Sequence, residues 1–577
     1  GHRPPEAPEL SAPGVPVGRI PGTTEPEAPA PPAGQIPASG VALTDLLGHR
    51  PPEAPELSAP AGRWLRLLLL LAALLALACG VVLVCAHIND RYQVNMAAGV
   101  WTALAQAADD GVLYPPLYDE ATGSYGGTRY MPLTILLHTG AAQLTGEYLM
   151  SGKIVACASA ALMLAAVLAV LLARGCPPLL SLGLVGLIVV SPTGLQSITS
   201  IRGDALPVLL QLLALALAAR RVSGALPTVV FIGVLCGLAV LAKISAGWAA
   251  MAIGLWLLVK DRKALLFFAC GFAGLIIVGG FILWLMTDGR FFSSALSLTF
   301  AGSENLGAIV MLAPQRLIEF ATQWAPICWV LVPLAGAGLV LRLAGRRFTA
   351  YHLGFLGCLI ILLVIYADWG VGENHVLDLL VLSTILVGDL AGQMPLRKRG
   401  MTIPQAALVM VVIVCTPLAL LHKPLGPDQR FSTPGRDVVN AIRMLAGGEI
   451  DAGLAAAYDP QPLAGLIADD ETILSEDPYV PVSLGRKPVL LDGFMLTRMD
   501  EPAIDALVGR IGNREFGKII LLREMDVDSW WYSELFFGEA VSAAIAEHYV
   551  LDGALTARVH GYYVYVPSIA PPPIDNP

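Results

Sequence analysis

The apolar residues of this chain come in blocks long enough to cross a lipid bilayer, and nothing else in the sequence constrains the fold as much. Crossing a bilayer core of about 30 Å takes roughly 20 mainly apolar residues in helical form. At least ten runs in the 577 residues reach or approach that length. Hydrocarbon offers the backbone no hydrogen-bond partner, so such runs must be helices. Composition agrees: 55% of the residues are hydrophobic and 14% charged, where a soluble protein carries roughly 25% charged residues. A soluble multidomain enzyme, a nucleic-acid binder and a secreted disulfide scaffold are excluded. The net charge of −9 argues against an anionic polymer as the main partner.

The nine cysteines lie in or beside the apolar runs, with no CxxC pair and no metal-ligand spacing. They read as small apolar packing residues. The expected cofactor list is therefore empty, with nothing that indicates a divalent cation.

Three regions follow. Residues 1–62 are rich in Pro, Ala, Glu and Gly, and Gly1–Pro13 recurs as Gly48–Pro60. Too little apolar surface is present to offset ordering entropy, so this tail is expected to be disordered and cytoplasmic. The apolar run after it starts too late for a signal peptide. Residues 63–423 are the membrane domain, with a large first outer loop at 88–150. Residues 424–577 read as a small extracytoplasmic α/β domain. Its strand-like runs are Lys487–Leu491, Lys518–Leu522 and Tyr562–Val566, and its helix-like stretches Glu501–Ile511 and Gly538–His548.

Charge decides the number of spans. Twelve segments are candidates. If all twelve cross, four Lys/Arg clusters fall opposite Arg63 and Arg66, against the positive-inside rule. If 131–146 stays out, fourteen Lys/Arg fall on the inner side and seven on the outer. That segment opens with Met131-Pro132 and carries His138 and Gln143. The expected fold is thus a mainly α, polytopic bundle of eleven spans. Its N-terminus is inside, its C-terminus outside, and 131–146 lies in the outer interface.

This topology gathers ionisable residues at the outer surface. The first loop opens with Asn89-Asp90-Arg91-Tyr92, passes Asp109-Asp110, and ends with Arg129-Tyr130-Met131-Pro132. Residues 193–204 form a second loop ending in Arg202-Gly203-Asp204. Lys243 closes one run, and Asn374-His375 open another. A transporter places such groups near the midplane; here they stand at head-group depth. A carboxylate there is suited to deprotonate an acceptor hydroxyl or amine, and nearby cations to offset charge on a departing phosphate. Each group also has an ordinary structural role open to it. Asp204 before Ala-Leu-Pro is a fair helix cap, Lys243 a snorkelling anchor, and Asp109 and Asp110 surface acids.

At these residues the chain resembles the type C glycosyltransferases of the inner membrane. The branch is that of the protein O-mannosyltransferases and the aminoarabinose transferase of lipid A. The matching elements are Asp90-Arg91-Tyr92, the turn Gly111–Pro115, Arg129–Leu133 leading to Leu144-Thr145-Gly146, Arg202–Asp204, Gly237–Lys243 and Gly370–His375. The likeness covers about 63–577. Where the family often has Asp-Glu at the first site, this chain has Asn89-Asp90. The resemblance implies direct, inverting transfer of a hexosyl or pentosyl group from a polyprenyl-phosphate to a lipid, glycan or protein acceptor. Asp90 is the expected base and Asp204 the second acid. Arg91, Arg129, Arg202 and Lys243 are expected near phosphate, and Asn374 and His375 near substrate. No nucleotide-binding loop is present. The rival readings are a flippase for a lipid-linked sugar and a membrane-anchored receptor or scaffold.

Overall fold

The computed structural model describes residues 57–88, 97–220, 226–296, 306–345, 348–368, 371–394, 401–424, 433–447, 460–559 and 561–568. The repeat-bearing N-terminal tail up to residue 56, and with it Asp90 and Arg91, lies outside the described residues.

Helix follows helix, as the apolar blocks require. α1 is Ala59–Ile88. The first outer loop then holds α2 (Ala97–Asp109), a two-residue hairpin of β1 (Tyr118–Asp119) and β2 (Ser124–Tyr125), and α3 (Pro132–Thr145). Next come α4 (Tyr148–Ala173), α5 (Pro178–Val190), α6 (Pro192–Thr199), α7 (Ala205–Arg220), α8 (Leu226–Ala242), α9 (Trp248–Lys260) and α10 (Arg262–Met286). The bundle ends with α11 (Leu306–Trp324), α12 (Cys328–Ala344), α13 (Ala350–Ile365), α14 (Val376–Gly392) and α15 (Ile403–Leu421).

Among the described residues five helices are long and apolar enough to cross a membrane, or seven spans if each of two bent pairs counts as one. The bent pairs are α5 with α6, at 76°, and α11 with α12, at 119°. Four shorter apolar helices, α7, α8, α9 and α13, accompany them. α3 is 14 residues long, about 21 Å at 1.5 Å per residue, and is not among the candidate spans.

Small residues set the closest approaches. A Cβ on Gly233 of α8 would stand 2.3 Å from the Phe268 carbonyl of α10, and one on Gly271 2.2 Å from the Val230 carbonyl. Only glycine at both positions lets these two backbones meet, as membrane helix pairs require. The α5–α6 bend has an equally local cause. Ser191 caps α6 by accepting from the Gly194 amide at 3.0 Å, and Pro192 starts the new helix. A Cβ on Gly194 would stand 1.8 Å from the Ile188 carbonyl. Residues 193–199, expected as an open outer loop, are therefore a buried helix.

Beyond α16 (Pro434–Leu445), the C-terminal part forms a four-stranded sheet. Its strands are β3 (Ile473–Ser475), β4 (Lys518–Leu521), β5 (Tyr549–Leu551) and β6 (Tyr563–Pro567), in the order β3-β4-β6-β5. β3 is parallel to β4, and β6 is antiparallel to both neighbours. α17 (Glu501–Gly512) and α18 (Glu539–His548) are where the sequence places them. The expected strand Lys487–Leu491 does not join the sheet. Its Val489 and Leu491 instead bond the backbone of Tyr125 from the first outer loop, at 2.6 and 2.8 Å. Tyr125 is fully buried in the sheet's own core, so loop and tail fold as one body. A buried carboxylate fixes the far side. Glu476 accepts from Trp531 Nε1 at 3.0 Å, Tyr532 Oη at 2.9 Å and the Leu522 amide at 2.8 Å.

Candidate active site

Four helix ends meet at one mouth of the bundle: the starts of α3, α7 and α14, and the end of α8. Helix ends carry the residues that interrupt apolar runs, so the polar groups of the sequence converge there. The turn before α7 supplies Arg202 and Asp204. Gly203 between them packs against Thr134 of α3 and Trp101 of α2, each 3.1 Å from where its Cβ would be. The residue after α8 is Lys243. A single 3₁₀ turn, Glu373–His375, leads into α14.

Asp204 is the centre. It is 4% exposed. Lys243 Nζ donates to its Oδ1 at 2.8 Å, and Asn374 Nδ2 donates to the same atom at 2.6 Å. Arg202 Nε lies 3.6 Å from Oδ2. Among the described residues no hydrogen bond reaches that Oδ2. Arg202 is shared: its Nη1 donates to Glu373 Oε1 at 2.6 Å and to Gln196 Oε1 of α6 at 2.7 Å. Ser245 Oγ lies 3.4 Å from His375 Nδ1. Burial pushes the Asp204 carboxyl up, but Lys243 and Arg202 outweigh burial and hold it well below the usual carboxylate range. It stays an anion at neutral pH, which suits a positioning group better than a general base.

The C-terminal domain forms a second wall. Phe494 packs under two guanidiniums, with Arg129 4.1 Å and Arg498 4.5 Å from its ring centre. Asp492 caps the short helix Gly493–Leu496 by accepting from the Phe494 amide at 3.1 Å. Burial pushes its carboxyl up to about 6, against the pull of Arg129 and Arg498. Arg498 Nη2 reaches Asp368 Oδ1 at 3.4 Å. Arg316 of α11 donates to the carbonyls of Asp368 and Val371. Asp368 is thus held by Arg498 and, with Val371, by Arg316, and residues 371–375 deliver Glu373 and Asn374 to the cluster. Tyr130 joins the two walls. Burial pushes its phenol up to about 12, with Asp492 and Asp204 adding to the shift and Arg129 and Arg202 opposing it.

Of the residues singled out from the sequence, the structure brings together Arg202, Asp204, Lys243 and Asn374, with His375 beside them on Ser245. Arg129 lies on the Phe494 ring and near enough to His375 to act on its charge. Asp90 and Arg91 fall outside the described residues. Glu373, Asp492, Phe494 and Arg498 were missed as partners. Glu373 was visible as an outer acid beside Asn374; nothing in the spacing of 424–577 links the other three to the membrane domain. Asp109 is a surface acid, as expected, bonded to Tyr148 and Gln143. Among the described residues no group of three or more His, Cys, Asp or Glu is placed to hold a metal ion.

No family model matches the chain, and no curated protein does so either. Solved structures do. The chain is similar to ArnT from Cupriavidus metallidurans bound to undecaprenyl phosphate, with a TM-score of 0.51 at 12% identity over 86% of this chain and 99% of that one. Fainter likenesses are to the archaeal oligosaccharyltransferase AglB from Archaeoglobus fulgidus in complex with an inhibitory peptide and a dolichol-phosphate (TM-score 0.43, 12% identity, 89% and 75%). Another is to the arabinofuranosyltransferase AftD from Mycobacteria (0.44, 14%, 89% and 40%). The first covers 86% of this chain and nearly all of that one, and it shows the fold: this chain is folded like ArnT.

Proposed function

We propose that the protein is an integral-membrane glycosyltransferase. It moves a sugar from a polyprenyl-phosphate donor to a lipid, glycan or protein acceptor at the outer face of the plasma membrane. The observation that carries this reading is the buried Asp204, held by Lys243 and Asn374 with Oδ2 left over, in a fold that ArnT presents with undecaprenyl phosphate bound.

The chemistry needs few parts. A base removes the acceptor's proton, the acceptor oxygen or nitrogen attacks the anomeric carbon, and the carbon–oxygen bond to phosphate breaks. The electron pair leaves with the polyprenyl phosphate, and the configuration inverts. Asp90, two positions after the last residue of α1 in the sequence, is the proposed base. Asp204 orients the acceptor through Oδ2, where an incoming hydroxyl or amine finds a buried acceptor atom still unsatisfied. A buried polar atom without a partner costs about 1–3 kcal/mol, so substrate binding relieves it. Arg91, Arg129, Arg202 and Lys243 are the cations available to the phosphate, and Asn374 and His375 the neutral contacts. No cofactor enters the step.

The test is donor dependence. Ala in place of Lys243 or Arg129 is expected to weaken use of the lipid-linked donor by roughly tenfold to a hundredfold, the size of a charge-assisted contact of about 1.5–3 kcal/mol. Circular dichroism on each variant checks folding. Unchanged donor dependence in both removes them from the site.

A further inference from the structure

Helix α16 follows the last apolar helix and divides lengthwise into three sectors. At 3.6 residues per turn, Pro434, Val438 and Ala441 share one face, and all three are buried. The helix packs there on α1 and α15. The next sector carries Ile442 and Val439, which are 51% and 48% exposed; Leu445, in line with the buried face but in the last turn, is 52% exposed. The third carries Arg443, Arg436 and Asn440. Among the described residues neither of these arginines meets a carboxylate, and Asn440 Nδ2 is buried with no hydrogen-bond partner.

A soluble helix has no use for an apolar sector of this size left open beside a cationic one. A helix in the lipid interface does: its apolar sector faces acyl chains and its arginines face phosphate. The position fits. Leu418 and Leu421, at the end of α15, are 60% and 73% exposed, so the open sector continues the lipid-facing side of the bundle. A groove of about 540 Å³ runs between the two helices. Leu421 and Val439 line it with apolar surface, and Arg436, Asn440 and Arg443 with donors.

We propose that this groove holds one glycerophospholipid of the outer leaflet. Its phosphodiester lies between Arg436 and Arg443, which stand two turns apart, and accepts a hydrogen bond from Asn440 Nδ2. Its acyl chains run down Leu421 and Val439. The occupant is a bilayer phospholipid rather than the sugar donor because α16 rests on α1 and α15, whereas Asp204, Lys243 and Asn374 belong to the ends of α7, α8 and α14. The proposal stands whether or not the protein transfers sugar.

The experiment is native mass spectrometry of the delipidated full-length protein, titrated separately with phosphatidylglycerol and with undecaprenyl phosphate. The wild type retains one phosphatidylglycerol that a Arg436→Gln/Arg443→Gln variant binds about tenfold more weakly or worse, while undecaprenyl phosphate binding is unchanged. Asn440→Leu, which removes the amide donor and keeps both charges, weakens the same lipid by a smaller factor. Should the arginine variant misfold, Asn440→Leu alone decides. Equal phosphatidylglycerol retention by the wild type and both variants overturns the proposal. Loss of undecaprenyl phosphate in place of phosphatidylglycerol overturns the choice of occupant.

Discussion

At the scale of single residues, Asp204 and Asp492 are carboxylates shifted in opposite directions by the same two influences. Lys243 and Arg202 outweigh burial at Asp204, and burial outweighs Arg129 and Arg498 at Asp492. The consequences for stability are opposite too. A depressed carboxyl contributes stability that is complete above the unfolded value of about 3.9 and fades as pH falls through the folded value. Asp204→Asn should therefore destabilise the protein at pH 7, by about 3–5 kcal/mol since it strands buried cations. The gap should narrow only below about pH 4. A raised carboxyl works the other way, because ionising it costs more in the folded state. Asp492→Asn should match the wild type near pH 4, gain on it as pH rises from about 4 to 6, and hold a lead of up to about 3 kcal/mol at neutrality. Thermal unfolding in detergent across pH reads both; gaps that do not move with pH contradict these assignments. Arg202, Asp204, Lys243 and Asn374 were legible in the sequence because each interrupts an apolar run on the same predicted side. Asp492 and Arg498 were not, since Arg129 and Asp368, which they meet from outside the C-terminal domain, stand more than a hundred positions away and no periodicity records such a meeting.

At the scale of elements, Asp368 and residues 371–375 matter most. Arg498 holds Asp368 from the C-terminal domain, Arg316 holds Val371 from α11, and residues 371–375 carry Asn374 to Asp204. Arg498 is thereby a positioning residue for the cluster. Its pair with Asp368 is little exposed, at 11% and 15%. A double-mutant cycle with Arg498→Ala and Asp368→Ala should return a coupling of about 0.5–3 kcal/mol. Hydrogen exchange over 371–378 should rise in Arg498→Ala; no coupling and unchanged exchange would detach the C-terminal domain from the site. The opposite mouth is locked as well. Asp389 of α14 takes Arg174 Nε at 2.6 Å and Arg342 Nη2 at 2.8 Å, two of the arginines that the charge count assigns to the cytoplasm. α3 bears on topology. It is too short to cross the core unaided, so cysteines placed at Leu144 and at Arg174 should label from opposite sides of the membrane. Labelling from one side refutes the proposed orientation and moves the whole site inside.

At the scale of the whole molecule, the apolar runs announced a helical membrane bundle, because length and hydropathy alone decide what a bilayer accepts. Against the eleven spans expected, the described residues hold five helices of crossing length, or seven spans with each bent pair as one, and four shorter apolar helices beside them. The bends themselves were hidden. α6 and α11 are packed with polar residues, such as Gln196 and Arg316, that pass for loop in a hydropathy reading yet bond inward. In the tail, strands β4 and β6 were legible from their β-branched and aromatic runs, whereas β3 is three residues long. Lys487–Leu491 has a strand's composition but takes Tyr125 of the outer loop as its partner, a tertiary choice that local propensity does not encode. The central claim is sugar transfer, and it is tested most directly in purified protein reconstituted into vesicles with a radiolabelled polyprenyl-phosphate sugar and an acceptor extract from cell envelopes. The account predicts label passing to the acceptor with the wild type, a fall on the order of a hundredfold or more for Asp90→Asn, as removal of a general base entails, and a smaller fall for Asp204→Asn. Transfer at the wild-type rate in both variants, or label that never leaves the polyprenyl phosphate in any, would contradict it.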